Sequence, residues 1–318
     1  MRRQHLALAV VALAGAAAIP WGMDDYALGV VTIGFYYAVL AASWNLLAGY
    51  TGQFSLAQQG FAALGAYATG LSIRDLGVPI WLGILLAAAV SCGMGLALGL
   101  LTLRLRAIYL AITTWGFAET VHITLTAGYQ VTRGELGLSV PTLLGNLDPL
   151  SYYYVFLGLL AVSLAVLYLV CHSRIGQFLR AIRDDELRAA SLGIDTTRWK
   201  LFVFALSSLL TGLAGACYAH YVAVIGPDMA DFSELAKIVV MVVIGGMGTF
   251  AGPVLGALLV QLLTSYLGQF GAWDNVLFAL VVIVLMRTYR EGLVALGRRL
   301  WRRLMAWMHP RVEVAARG

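Results

Sequence analysis

Apolar residues run along this chain in long blocks, separated by charges and by turns rich in Gly or Pro. The blocks fall near 6–20, 27–48, 54–72, 79–103, 107–127, 152–171, 201–222, 235–248, 251–269 and 274–289. Most approach the roughly 20 residues that a helix needs to cross the hydrocarbon core of a bilayer. The pattern therefore predicts about ten helices and an all-α polytopic membrane protein. The third and eighth blocks border Gly-rich stretches, which leaves them open to being partly re-entrant. One segment breaks the pattern. Residues 176–195, GQFLRAIRDDELRAASLGID, place Arg180, Arg183, Asp184, Asp185, Glu186 and Arg188 close together in the middle of the chain.

Composition agrees with lipid as the solvent. The 318 residues are 61% hydrophobic and 12% charged, about half the charge of a soluble domain. Charge position then sets orientation. Ten spans put the N-terminus, 104–106, 172–200 and 287–318 on one side, where they hold 18 of the 21 Lys and Arg residues. By the positive-inside rule that side is cytoplasmic, and so are both termini. The net charge of +5 is thereby a topology signal and requires no nucleic acid. We divide the chain into a transmembrane domain, 1–290, with a cytoplasmic segment at 173–198, and a basic tail, 291–318. Arg298, Arg299, Arg302 and Arg303 with Trp301 and Trp307 suit an interfacial helix on anionic lipid. The start, MRRQHLALAVVALAGAAA, has the makings of a secretory signal or of an uncleaved first helix, and later spans favour the second.

The candidate chemistry is polar without being catalytic. Residues 44–70 interleave Gly49, Gly52, Gly60, Gly65 and Gly70 with Asn45, Gln53, Ser55 and Gln58. Such a stretch either lines a path or is tight helix packing with hydrogen-bond glue. Residues 245–257 echo it, with Gly245, Gly248, Phe250 and Gly256 at a constant offset from Gly49, Gly52, Phe54 and Gly60. Both copies follow spans of the same direction, so an inverted repeat is excluded and chance competes. Glu119 and His122 lie three apart on one helical face, as do Glu234 and Lys237. The first pair suits a satisfied structural pair or snorkelling more than transport, and the second a local ion pair at the membrane boundary. Polarity within spans selects Asn45, Gln53, Ser55, Gln58, Thr113, Thr114 and Glu119 as substrate-path candidates. Cys92, Cys171 and Cys217 fit small apolar filler. No phosphate-binding GxxxxGK[ST] loop, zinc motif or serine triad occurs, so any nucleotide is handled by another chain.

In 176–193, Arg180–Asp184 and Asp184–Arg188 are each four apart, and Phe178, Leu179, Ile182 and Leu187 form an imperfect apolar stripe. A short amphipathic helix is expected, with Gly193 as its C-cap and Asp195 or Thr196 capping the next helix. By charge alone it is a solvated loop.

Several stretches together resemble the M-type permease subunit of branched-chain amino acid ABC importers. They are AGYTGQFSLAQQGFAALGAY (48–67), RAIYLAITTWGFAE (106–119), TRGELGL (132–138), SRIGQFLRAIRDDELRAASLGID (173–195), GLAGACYAHYVAVIGPD (212–228) and MVVIGGMGTFAGPVLGA (241–257). The resemblance implies the larger, many-span importer fold in a bacterial inner membrane. It implies as partners a second permease subunit, two cytoplasmic ATP-binding subunits that hold ATP and magnesium, and an extracytoplasmic solute-binding protein. No cofactor is expected on this chain. It implies further that 173–195 is the coupling helix, with Gln177, Phe178, Arg180, Ala181, Ile182, Arg183, Asp184, Asp185, Glu186, Ala190, Leu192 and Gly193 meeting the ATPase. Three motifs depart from the family's pattern: Glu135 stands where an Asp is usual, His122 where a basic residue is common, and Tyr289-Arg290-Glu291-Gly292 where Arg-Pro-x-Gly is. Family members also handle urea and short amides, so the solute stays open beside branched-chain amino acids. Two other classes compete: a stand-alone ion-coupled carrier, for which Glu119 is the visible titratable candidate, and a non-transporting scaffold.

Overall fold

A computed structural model describes residues 15–17, 19–102, 105, 107–145 and 148–269, with scattered positions between 276 and 295. Most of the expected first and tenth spans, and the tail with its arginines and tryptophans, lie outside the described residues. The chain is helical: α1 (Asp25–Asn45), α2 (Gln58–Leu76), α3 (Ile80–Thr102), α4 (Ala107–Ala127), α5 (Pro149–Cys171), α6 (Arg174–Asp184), α7 (Glu186–Ser191), α8 (Thr196–Val222), α9 (Phe232–Gly245) and α10 (Gly252–Leu267). Among the described residues, α3, α5, α8 and α1 with its extension to Tyr50 are long and apolar enough to cross a membrane. This is a multi-pass membrane protein.

The eight other expected spans each coincide with a helix, but two end differently. The third begins at Gln58, not at residue 54, because residues 52–57 run without helix. The eighth stops at Gly245, where Gly246 takes φ 116°, a backbone region that only glycine enters freely.

Helix α1 is the axis. Its membrane window is 78% buried, against 39% for α3 and for α5. Phe35, Tyr36, Leu40 and Trp44 of α1 share one buried cluster with Tyr152, Tyr153 and Phe156 of α5 and Ile238 and Met241 of α9. Helix α8 wedges between α2 and α3, and small residues let it in. On α3, Ser91, Gly95 and Gly99 recur every four residues on the buried face. A Cβ on Gly95 would lie 2.5 Å from the Cβ of Ser208, and one on Gly212 would lie 2.3 Å from the Cβ of Ser91. A Cβ on Gly65 of α2 would lie 2.6 Å from the Cα of Gly212. Lipid tails are as apolar as leucine, so van der Waals contact at such short range, more than hydrophobic burial, holds these helices together. The opposite face of α3 carries exposed Leu82, Leu85, Val90 and Leu101, as a lipid-facing surface does.

A cap closes the end opposite α6. The TRGELGL stretch turns through Arg133, Gly134 and Gly137, all at positive φ. It delivers β1 (Leu138–Ser139) to pair antiparallel with β2 (Val224–Ile225), Leu138 opposite Ile225. His220 pins the cap. Its Nδ1 donates to Pro141 O at 2.7 Å, which leaves Nε2 to accept from the Thr69 hydroxyl at 3.0 Å. Helix α5 starts beside the cap. Asp148 accepts from Ser151 N at 3.0 Å, and this bond with the Ser151 hydroxyl holds its carboxyl below the usual carboxylate range.

Replacing Gly95 by Ala should cost about 1–3 kcal/mol, the usual penalty of overpacking. Gly93→Ala, two residues away with nothing within 4 Å of an added Cβ, should be neutral or slightly stabilising. Thermal unfolding of the two variants in detergent, side by side, separates them.

Candidate functional site

The two Gly-rich stretches that echo each other in sequence meet in space. Each interrupts a pair of helices. The first begins as a π-helical turn, Leu46–Tyr50, which continues α1, and residues 52–57 then run without helix. The second occupies 246–251 between α9 and α10. Gly49 and Gly248 allow the approach: a Cβ on Gly49 would sit 2.6 Å from the Gly248 nitrogen.

An interrupted helix in an apolar protein exposes backbone groups that lipid cannot satisfy. Each left unpaired would cost about 1–3 kcal/mol. Side chains answer most of them. Asn45 Nδ2 donates to Thr249 O at 2.9 Å, and Asn45 Oδ1 accepts from Gly248 N at 2.8 Å. Trp44 Nε1 donates to Ser55 O at 2.6 Å. The Thr114 hydroxyl accepts from Leu56 N at 2.8 Å and donates to Leu110 O at 2.8 Å. Thr51 donates to Leu47 O at 2.6 Å and to Gln53 Oε1 at 3.2 Å. Gln58 Nε2 donates to Thr211 Oγ1 of α8, and Ser207 donates to Ser43 O at 2.9 Å.

Five substrate-path candidates, Asn45, Gln53, Ser55, Gln58 and Thr114, are thus buried and bonded within the protein. The other two stand apart on α4. Thr113 is exposed and Glu119 half-buried, on a helix whose uncovered face also carries Gly116 and Thr120. The expected Glu119–His122 pair does not form. Glu119 makes no hydrogen bond or ion pair among the described residues, and His122 Nδ1 is buried without a partner. Glu234 and Lys237 do pair, at 2.6 Å, and the Tyr37 hydroxyl donates to the same carboxylate. Trp44, Ser207 and Thr211 join this network beyond the residues that polarity in the sequence selects. Ser207 and Thr211, four apart in the apolar run FALSSLLTG, were the visible signal.

The mixed-charge segment is two helices. Asp185, at φ −162°, ends α6 and caps α7 by accepting from Arg188 N at 3.0 Å. The expected i,i+4 pairs are absent: the break at Asp185 separates Asp184 from Arg188, and Asp184, in one helix with Arg180, pairs with Arg183 instead. Arg183 pairs with Asp184 at 3.1 Å, Arg188 with Asp185 at 2.9 Å, and Glu186 with the nearly buried Lys200 at 2.5 Å. Asp195 caps α8 and Gly193 turns the chain at φ 83°. Leu179 and Ile182 face inward, Leu179 into a cluster with Leu46, Leu47 and Val203. Phe178 lies against Trp199 at 5.7 Å. Outward stand Gln177, Arg180, Ala190 and Gly193, with Leu187 and Leu192 at 83% and 81% exposure. Ala181 is half-buried. Arg183, with its side chain 38% exposed, reaches back to the first break: its Nη1 donates to Gly49 O at 2.9 Å. A charged hydrogen bond of this kind contributes about 1.5–3 kcal/mol, more than the ~0–1 of the exposed Asp184 pair, so the carbonyl places this side chain.

Comparison with known proteins gives this arrangement its context. The family model for the branched-chain amino acid transport system permease component matches residues 26–286. The chain is 32% identical to the high-affinity branched-chain amino acid transport system permease protein LivM of Salmonella typhimurium, over 92% of this chain and 75% of that one. It is 30% identical to LivM of Escherichia coli K12, over 91% of this chain and 75% of that one. To the high-affinity branched-chain amino acid transport system permease protein LivH of Salmonella typhimurium it is 24% identical, over 80% of this chain and 90% of that one. No solved structure matches. A family match across most of the length makes the chain a member of the branched-chain amino acid transport system permease family.

Proposed function

We propose that the chain is one of two permease subunits of an ABC importer of branched-chain amino acids in a bacterial inner membrane. ATP and magnesium belong to two separate cytoplasmic subunits, and a solute-binding protein delivers cargo from outside. Ten spans with both termini in the cytoplasm complete the reading. Similarity to LivM supports the cargo, and similarity to LivH supports a second permease.

The observation that carries the ATPase assignment is the outward face of α6 and α7. Two leucines stand almost fully exposed among charges, on a segment anchored by Leu179 and Ile182. Exposed apolar side chains ringed by charge mark a docking surface: the leucines give contact area, the charges give register. Glu119 supports the path. A carboxylate costs about 2.5–3.5 kcal/mol at the centre of a spanning helix and therefore faces water or a partner. On the uncovered face of α4, with Thr113, Gly116 and Thr120, it borders the passage shared with the second permease. Asn45, Gln53, Ser55, Gln58 and Thr114 hold the frame behind that passage.

Replacing Leu187 and Leu192 together by Asp should strip the ATP-binding subunits from the detergent-purified complex while both permeases stay associated. Pull-down on a tagged permease reads this directly; undiminished ATPase recovery would count against the docking face. Orientation has its own check. A cysteine at Gln177 should react with an impermeant maleimide only in inside-out vesicles, and one at Leu76 only in right-side-out cells.

A further inference from the structure

We propose that Arg183 is the positioning residue that ties the ATPase-facing segment to both helix breaks, so that a displacement of α6 moves them together. The inference rests on the importer reading above, and goes beyond docking to say how movement passes inward.

Both breaks converge on this side chain. Its Nη1 donates to Gly49 O in the π-helical turn that ends α1. Carbonyls in the last turn of a helix lack intrahelical donors, and the negative end of the helix dipole adds to the attraction for a guanidinium. Its stem lies along the first break: a Cβ on Gly52 would stand 3.2 Å from Arg183 Cγ. Its head reaches the second: a Cβ on Gly248 would stand 3.4 Å from Arg183 Nη1. Asn45 closes the ring by bonding both Gly248 N and Thr249 O from α1. Gly49 is needed for proximity, and Gly52 and Gly248 for their φ of 71° and 75°. The rest of α6 holds to the protein through Leu179 and Ile182, contacts that can slide because apolar packing has no direction. Arg183 supplies the directional bond. Charge on α6 thus has two purposes, with Arg180 standing in the open and Arg183 reaching back to the breaks.

The test uses the complete complex, both permeases with ATP-binding subunits, in proteoliposomes with the solute-binding protein and leucine. Arg183→Ala should keep the ATP-binding subunits bound, while leucine moved per ATP falls about tenfold, as expected for losing one charged hydrogen bond. Arg183→Lys, which keeps the stem and one cationic donor, should recover most of the yield. Gly52→Ala, strained in φ and pressed on Arg183 Cγ, should reproduce the loss. The double variant Arg183→Ala/Gly52→Ala should be no worse than either alone, as residues acting through one contact are not additive. Normal yield in Arg183→Ala, additive losses in the double variant, or release of the ATP-binding subunits by Arg183→Ala would each overturn the proposal, the last by making Arg183 a docking residue. If the wild-type chain recovers no ATP-binding subunits at all, the importer reading itself fails, which the unmutated control distinguishes.

Discussion

Everything distinctive here depends on backbone groups that have lost their helical partners within the fold. Two helix interruptions sit side by side, one after α1 and one after α9. Where these groups are buried, side chains of the protein supply the missing donors and acceptors. Asn45 serves the second break, Trp44 and Thr114 the first, and Arg183 the carbonyl where α1 ends. Glycine is the complement of this network, because partners on two chains of backbone must come within hydrogen-bond reach.

The same requirement explains the crowding around α8. A polar network at this depth is stable only if its members are held in one geometry. Close contacts through Gly65, Gly95, Gly212 and Gly215 fix α8 against α2 and α3, and so fix Ser207 and Thr211 beneath Gln58. The cap does the same at the other end, with His220 committed to one tautomer by its two partners. Between them α4 is held mainly at one face, where Gly60 of α2 meets Ala118. Its other face, with Glu119, is left to a partner or to water.

Much of this was legible in the sequence. Apolar blocks located eight described helices within a few residues, since burial in lipid and helix length obey one period. Asp195 and Gly193 were readable as caps because capping chemistry is local. Other features were not. The break at Asp185 depends on a side chain accepting from Arg188 N in competition with continued helix, and the i,i+4 spacing of Arg180, Asp184 and Arg188 argued for continuity. Polarity drew attention to Asn45, Gln53 and Gln58, but cannot distinguish a side chain that serves backbone from one that serves solute. The echo between 49–60 and 245–256 was discounted on direction. Its meaning is contact: the stretches are alike in being breaks, and they pack on each other. Arg183 was grouped with its charged neighbours, since no local pattern tells which of three arginines reaches back to the breaks.

The central claim is that α6 and the paired breaks move as one body. Spin labels test it most directly, in a background where Cys92, Cys171 and Cys217 are replaced. Label pairs join Gln177 on α6 to Met247 in the second break, and Gln177 to Leu76 at the far end of α2. Distances are recorded by double electron–electron resonance in the full complex, with and without trapped nucleotide. The account predicts that the 177–247 distance stays constant while 177–76 changes. A 177–247 distance that shifts with nucleotide, over a fixed 177–76 distance, would contradict it.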